Sequence, residues 1–177
     1  MFETASKEDW VVIAALASPH ILYAFIWFNS DTWRRWFGKS SVEKFETAAW
    51  LLKVVQFSSV IYWYLAKKPE GLDLWRISPL AAAVAAVLMA AGQALNIGIY
   101  RAIGHPGVYY GFKLGHKIPW VNGFPFNVVS HPQYVGSVLS VWAIAVLVWS
   151  QAPTGLGLLT AYWTGLYVIT GVQESCF

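Results

Sequence analysis

One apolar run of this chain opens with the residues Gly123-Phe124-Pro125-Phe126-Asn127-Val128-Val129-Ser130-His131-Pro132-Gln133-Tyr134-Val135-Gly136-Ser137 and ends near Ser150. The run is long enough and apolar enough to predict a membrane helix, and its opening residues bring His, Asn, Gln, Tyr and Ser to the mouth of that helix. A polar group left unpaired in lipid costs several kcal/mol, by rough estimate. The cluster therefore indicates a functional site at the start of this helix.

The composition supports a membrane location. Of the 177 residues, 57% are hydrophobic and 12% are charged, whereas a soluble domain has about 25% charged residues. The net charge of +3 fits contact with anionic lipid headgroups and is too small to indicate nucleic-acid binding. The single cysteine, Cys176, excludes an intrachain disulfide framework, and we predict no metal site.

Five apolar segments are predicted: 10–28, 47–66, 78–100, 134–150 and 154–172. The last four are expected to span the membrane, and Pro132 can lengthen the fourth by occupying its first turn. The first segment is interrupted by Ser18-Pro19-His20, so it could span, kink, re-enter or lie at the interface. No complete nucleotide-binding glycine motif occurs. The expected fold is thus an all-α integral membrane protein with one domain, 1–177, and no Rossmann domain.

Basic residues set the predicted orientation. The loops 29–46 and 101–133 contain seven of them, whereas the N-terminal tail and the loop 67–77 contain four. The positive-inside rule therefore places the two richer loops in the cytosol. The fourth and fifth segments then form a hairpin, and His131 and Glu174 return to the same cytosolic mouth.

Several individual residues allow both a structural and a functional interpretation. Glu174 can be a solvated acid at a helix end, although the negative end of the helix dipole favours a cationic partner there. His131-Pro132 fits a helix start, with Ser130 near the cap, and a site at that start is compatible with this. Asn96 can bridge helices or contact a ligand.

Two further expectations concern packing. Lys53, within the second segment, could extend its ammonium group to the membrane interface. Tryptophans near segment ends are predicted to form an interfacial belt: Trp10, Trp27, Trp50, Trp63 and Trp149.

Three blocks of the chain resemble the phospholipid methyltransferase family, and its plant and algal branch in particular. They are Ile118-Pro119-Trp120-Val121, Phe124-Pro125-Phe126 and His131-Pro132-Gln133-Tyr134-Val135-Gly136-Ser137. Arg101, Tyr109-Tyr110-Gly111 and Glu174-Ser175 fit the same pattern. The resemblance runs from about residue 88 to the end, which makes 88–177 the expected donor-binding and catalytic half.

The resemblance implies a multi-pass enzyme of the endoplasmic reticulum membrane with its active site facing the cytosol. The implied reaction is N-methylation of phosphatidyl-N-methylethanolamine and phosphatidyl-N,N-dimethylethanolamine to phosphatidylcholine, with S-adenosylmethionine as donor. The family binds the donor through a Gly-x-Gly, which falls here on Ala90-Ala91-Gly92, and through paired acids, which fall on Gln173-Glu174. An alanine and an amide thus replace one residue of each motif. The other implied donor contacts are Asn96, His131, Pro132, Tyr134 and Gly136.

The expected chemistry is direct displacement, which needs alignment of the reactants and a neutral amine. His131 and Glu174 are the titratable candidates at the right depth, and the ring or hydroxyl group of Tyr134 could face the cationic methyl region. The lipid phosphate is expected to meet the basic loop residues Arg101, Lys113 and Lys117. The lipid and the membrane are the predicted partners, and the sequence predicts no oligomeric state.

Three alternatives stay open. Isoprenylcysteine carboxyl methyltransferases share the His-Pro-x-Tyr-x-Gly core, but the Ile118–Phe126 block and the short chain argue against them. Nicotinamide-dependent sterol-type reductases usually carry an acid directly after this core, where this chain has Ser137. A membrane scaffold without enzymatic activity would use the same polar residues only for helix packing.

Overall fold

The structure, a computed structural model, describes residues 5–176, with side chains as far as residue 175. Every regular element in this part of the chain is helical, and no strand occurs in it. The six α-helices are α1 (Lys7–Phe28), α2 (Ser30–Phe37), α3 (Ser41–Lys67), α4 (Pro79–Val108), α5 (Pro132–Val148) and α6 (Leu156–Cys176). Short 3-10 turns lie at Gly38–Ser40, Leu74–Arg76 and Trp149–Gln151.

The all-α membrane fold expected from the sequence is confirmed. Among the described residues, three helices are long and apolar enough to cross a membrane: α1, α4, and α5 with the turn that follows it, Pro132–Gln151. Helices α3 and α6 have 27 and 21 residues but contain more polar positions. The first segment is a continuous helix through Pro19, so the interruption considered from Ser18-Pro19-His20 does not break it.

Local sequence explains where these helices start. The Ser6 and Asp9 side chains form a capping box at the start of α1. The Ser78 hydroxyl caps α4, and Pro79 occupies its first turn. Helix α5 begins at Pro132 as expected, and its cap residue is His131, next to Ser130.

The main helix pairs are α3 with α1, α1 with α6, α6 with α5, and α5 with α4, and the last pair packs most extensively. Side-chain contacts define the end of the bundle opposite the predicted site. There Asp9 forms an ion pair with Lys67 at 2.9 Å, and Lys68 donates to the Gln151 carbonyl at 2.5 Å. The hairpin between α5 and α6 therefore turns away from His131 and Glu174, as predicted.

Helix α4 is longer than its apolar segment and ends with a break. It continues to Val108 across Gly104, whose φ of 65° lies in the left-handed region that favours glycine. The turn that follows carries Tyr110, also at positive φ (52°), back into the bundle. Tyr110 is 4% exposed and packs with Tyr23, Trp27 and Phe45 in a cluster of buried aromatic side chains.

The tryptophan belt is only partly as predicted. Trp10, Trp50 and Trp149 are exposed, as a membrane interface requires, but Trp27 and Trp63 are buried. Trp63 donates to Asp9 at 2.7 Å. Trp27 is buried because the turn after α4 covers it, and this places it beside the candidate site.

Candidate active site

A cavity of about 230 Å³ lies where α5 begins and α6 ends. It is enclosed by the end of α1, the end of α4 with its following turn, and the first residues of α5. The side chains and backbone that line it are Trp27, Ile99, Ile103, Gly107, Val108, Tyr110, Phe112, Phe126, Ser130, His131, Pro132, Gln133, Tyr134 and Glu174. The three expected catalytic residues, His131, Tyr134 and Glu174, thus share one cavity.

Glu174 is the acid of this cavity, and two tyrosines hold it. The hydroxyl groups of Tyr110 and Tyr134 both donate to its Oε1 atom, and the two hydroxyl oxygens lie 3.4 Å apart. The Glu174 side chain is only 15% exposed. A carboxylate removed from water in this way is stabilised by such donors and by any cation that enters the cavity.

His131 lies on the other side of Glu174, and its hydrogen bonds indicate its tautomer. Its Nε2 atom is 2.8 Å from the Ser175 hydroxyl, which itself donates to the Gly171 carbonyl at 2.9 Å. Because the serine proton is used there, Nε2 must donate to Ser175. In the neutral ring Nδ1 is then an acceptor, and it lies 4.0 Å from the Glu174 Oε2 atom, too far for a direct hydrogen bond. Nδ1 therefore remains able to accept a proton.

The environment of Tyr110 keeps its hydroxyl group protonated, so that it acts as a hydrogen-bond donor to Glu174. Burial raises the pKa of Tyr110 well above its usual range, and the neighbouring Glu174 charge raises it further. The hydroxyl group consequently keeps its proton and its hydrogen bond to the acid. The resemblance covered Tyr110 but gave it no role, so the structure adds it to the site.

The remaining wall of the cavity is aromatic. The Trp27 ring packs edge to face against Tyr110 at 5.2 Å and against Phe112 at 5.9 Å between ring centroids. The Lys113 ammonium group lies 3.8 Å from the Trp27 ring centroid, so this ring already attracts a cation. The indole Nε1 of Trp27 is buried and has no hydrogen-bond partner in the protein. Trp27 and Phe112 are site residues that the sequence analysis missed.

The expected donor-binding residues fall into two groups. His131, Pro132, Tyr134 and Glu174 line the cavity, and Gln173 adjoins it in sequence with a buried Nε2 atom that lacks a partner. The others lie on α4 or deeper along α5, away from the cavity lining: Ala90, Ala91, Gly92, Asn96 and Gly136. Ala90 and Ala91 are exposed on the surface of α4.

Gly92 and Gly136 face each other where α4 and α5 cross. A Cβ atom on either glycine would lie 2.6 Å from the carbonyl oxygen of the other. A Cβ on Gly136 would also lie 2.9 Å from the Asn96 Oδ1 atom. Both glycines are therefore required for the close approach of these helices.

The three expected phosphate ligands are not brought together. Lys113 lies beside the cavity over Trp27, whereas Arg101 lines a separate cavity with Gly98 and Phe124. Lys117 is exposed on the loop beyond.

A second polar layer lies behind Tyr134. Tyr134 also lines a small cavity of about 30 Å³, large enough for one water molecule. There Lys53 donates to the Tyr167 hydroxyl at 2.5 Å, and His20 Nδ1 is 2.9 Å from the Thr170 hydroxyl. The interface considered for the Lys53 ammonium group is not its partner here, because this hydrogen bond joins it to Tyr167 of α6.

The chain is similar to proteins of known family. Residues 80–175 match the family described as "Phospholipid methyltransferase". A protein of Arabidopsis thaliana named "Phosphatidyl-N-methylethanolamine N-methyltransferase" is 35% identical over 74% of this chain and 73% of its own length. A Neurospora crassa protein of the same name is 40% identical over 51% of this chain and 41% of its own length. Human "Phosphatidylethanolamine N-methyltransferase" is 31% identical over 61% of this chain and 51% of its own length. No solved structure matches the chain significantly.

Proposed function

Because this chain belongs to the phospholipid methyltransferase family, we propose that it methylates phosphatidyl-N-methylethanolamine and phosphatidyl-N,N-dimethylethanolamine to phosphatidylcholine. The observation that carries this proposal is the buried carboxylate of Glu174 in a cavity with aromatic walls. A methyl donor with a sulfonium group and a protonated lipid amine are both cations, and this cavity offers a negative charge and ring faces to them.

The proposed donor is S-adenosylmethionine, which supplies an electrophilic methyl group on a positively charged sulfur. The residues present fit this group. Glu174 and the Tyr134 ring would hold the sulfonium end, and the unpaired indole nitrogen of Trp27, a residue of the cavity lining, would meet a polar atom of the donor. The cavity is smaller than the roughly 300–1,000 Å³ of typical ligand sites, so it suits the reacting ends rather than whole molecules.

Gly92 and Gly136 have an indirect role in this proposal. Their contact lets α4 and α5 approach closely, which sets the position of His131 and Tyr134 at the start of α5. Residues 88–177 supply every described cavity residue except Trp27, which α1 contributes.

His131 is the proposed general base. Its Nδ1 accepts a proton from the lipid ammonium group, and the nitrogen lone pair is then free for attack on the methyl carbon. The bound donor would supply the methyl carbon: its bond to sulfur would break as the nitrogen–carbon bond forms, with the electron pair left on sulfur. Glu174 stabilises the imidazolium ion from 4.0 Å, and Tyr110 and Tyr134 hold the acid in place.

We further propose that the protein resides in the endoplasmic reticulum membrane with this cavity at the cytosolic face. The support is the excess of basic residues at the cavity end, including Arg34, Arg35 and Lys39.

Transfer of labelled methyl from S-adenosylmethionine tests the function. Purified protein in detergent is offered phosphatidylethanolamine and its monomethyl and dimethyl derivatives in turn. We expect label in the two methylated lipids. The absence of label from all three, with no donor binding, would contradict the proposal.

A further inference from the structure

A second, more open cavity of about 1,020 Å³ lies beside α2 and carries several positive charges. We call it the basic cleft. It is lined by Asp31, Arg34, Arg35, Gly38, Lys39, Leu114, Gly115 and His116, and it shares no lining residue with the reaction cavity.

Positive charge in the basic cleft exceeds negative charge. Arg34, Arg35 and Lys39 face a single acid, Asp31. The ion pair between Arg34 and Asp31 is long, at 3.7 Å, and the Asp31 side chain is 88% exposed, so the pair neutralises little.

The cleft has a defined wall. Gly115 has a φ of 91°, and the Arg34 guanidinium lies 3.5 Å from the place where a Cβ atom would sit. The His116 backbone N–H donates to the Gly111 carbonyl at 2.7 Å, and Leu114 is buried. The backbone of residues 114–116 therefore packs next to the Arg34 guanidinium group and forms one side of the cleft.

Aromatic side chains place the cleft at the membrane surface. Helix α2 directly follows α1, one of the helices able to span the bilayer. Trp36 is 62% exposed and stacks on Phe25 of α1, and Trp33 is buried between α2 and α3. Such amphipathic rings are favoured at headgroup level.

We propose that the basic cleft binds the phosphate group of an anionic phospholipid other than the substrate. Arginine suits phosphate because its planar fork can bind two oxygens at once, and basic clusters next to a span favour anionic lipids. A zwitterionic headgroup fits less well, since its ammonium group would lie among the cations. This inference does not depend on the proposed methyl transfer.

The cleft also adjoins the reaction cavity through one short segment. Tyr110 and Phe112 face the reaction cavity, and Leu114, Gly115 and His116 face the cleft. A lipid bound in the cleft would therefore stabilise the position of the turn that carries Tyr110.

Thermal unfolding in detergent tests the proposal, because a ligand that binds only the folded state raises the unfolding midpoint. The probes are short-chain phosphatidic acid, diacylglycerol with the same chains, and inorganic phosphate. We expect phosphatidic acid alone to raise the midpoint. An equal rise from inorganic phosphate or from diacylglycerol would overturn the assignment to an anionic lipid.

Two pairs of substitutions localise the effect. Arg34→Gln with Lys39→Gln should weaken phosphatidic acid binding about 30-fold, at roughly fivefold for each cation. The matched control, Arg76→Gln with Lys44→Gln, removes the same charge outside the cleft and should leave binding unchanged. Equal binding by both double variants would overturn the proposal. Should the cleft variant not fold, Asp31→Asn serves instead: it should bind phosphatidic acid more tightly, and unchanged or weaker binding would contradict the proposal.

Discussion

The hydroxyl group of Tyr110 donates a hydrogen bond to the carboxylate of Glu174 and so joins the turn after α4 to the last turn of α6. The two residues are 64 positions apart in the chain. The break at Gly104 redirects the chain after the main part of α4, and the turn that follows brings Tyr110 to the acid. The candidate active site is thus assembled from segments that are distant in sequence, because the membrane helices bring their ends to the same end of the bundle.

Replacement of Glu174 by glutamine should lower kcat/KM about 10-fold to 150-fold. The estimate follows from roughly 1.5–3 kcal/mol for a hydrogen bond to a charged group. Glu46→Gln is the matched control, because Glu46 also pairs with a histidine, His105 at 2.6 Å, but does not line the cavity. Methyl transfer into the dimethylated lipid measures both variants. An equal loss of kcat/KM in Glu174→Gln and Glu46→Gln would show that Glu174 has no specific role in the reaction.

Removal of the Tyr110 hydroxyl group should also weaken the site. Tyr110→Phe leaves the Glu174 carboxylate with one tyrosine donor, and we expect kcat to fall about 10-fold to 150-fold with the fold intact, from roughly 1.5–3 kcal/mol for a hydrogen bond to a charged group. Tyr109→Phe is its control, since Tyr109 bonds to the Tyr100 hydroxyl at 2.9 Å outside the cavity. Turnover at saturating donor is the measurement, and full activity in Tyr110→Phe would remove that residue from the mechanism.

An added methyl group at Gly136 should destabilise the bundle. Overpacking costs about 1–3 kcal/mol, and the Cβ of Gly136→Ala would meet the Gly92 carbonyl at 2.6 Å. The unfolding midpoint should therefore fall by several degrees, at roughly 2–4 °C per kcal/mol. Gly165→Ala on α6 has open space around the new atom and should not lower the midpoint. A stable Gly136→Ala protein would contradict the packing role.

Trp27 should govern affinity for methylated amines. Loss of its ring face in Trp27→Leu should raise the KM for the dimethylated lipid by about twofold to 30-fold, from roughly 0.5–2 kcal/mol for a cation over an aromatic ring. Trp27→Phe should retain part of that affinity. Trp75→Leu, at a position that is 97% exposed, controls for the loss of a tryptophan. An unchanged KM in Trp27→Leu would exclude the ring from amine binding.

The sequence predicted those parts of the site that depend only on where each helix lies and on which end of the bundle it begins or ends. Apolar segments of membrane length predict where the helices run, and their alternation returns His131 and Glu174 to one end of the bundle. Pro132 predicts the start of α5 because its ring suits the first turn.

The sequence could not predict the parts that depend on tertiary packing. Trp27 fits an interfacial belt by position, and only the turn around Tyr110 shows that it is covered and borders the cavity. Gly92 has the same sequence signal whether it meets a ligand or a helix, and its contact with Gly136 requires the α4–α5 crossing. The charged residues of the basic cleft lie together in the segment 31–39, but the wall that faces them, residues 114–116, comes from a distant loop that no local pattern joins to it.

The most direct test of the central claim is a structure of the protein bound to S-adenosylhomocysteine, the product of the proposed donor. We predict that its neutral sulfur atom marks the place of the donor's sulfonium and lies in the cavity within about 4–6 Å of the Glu174 carboxylate, the range over which a sulfonium and a carboxylate interact strongly. A sulfur atom on the exposed face of α4 at Ala90 and Ala91, away from His131 and Glu174, would contradict the account.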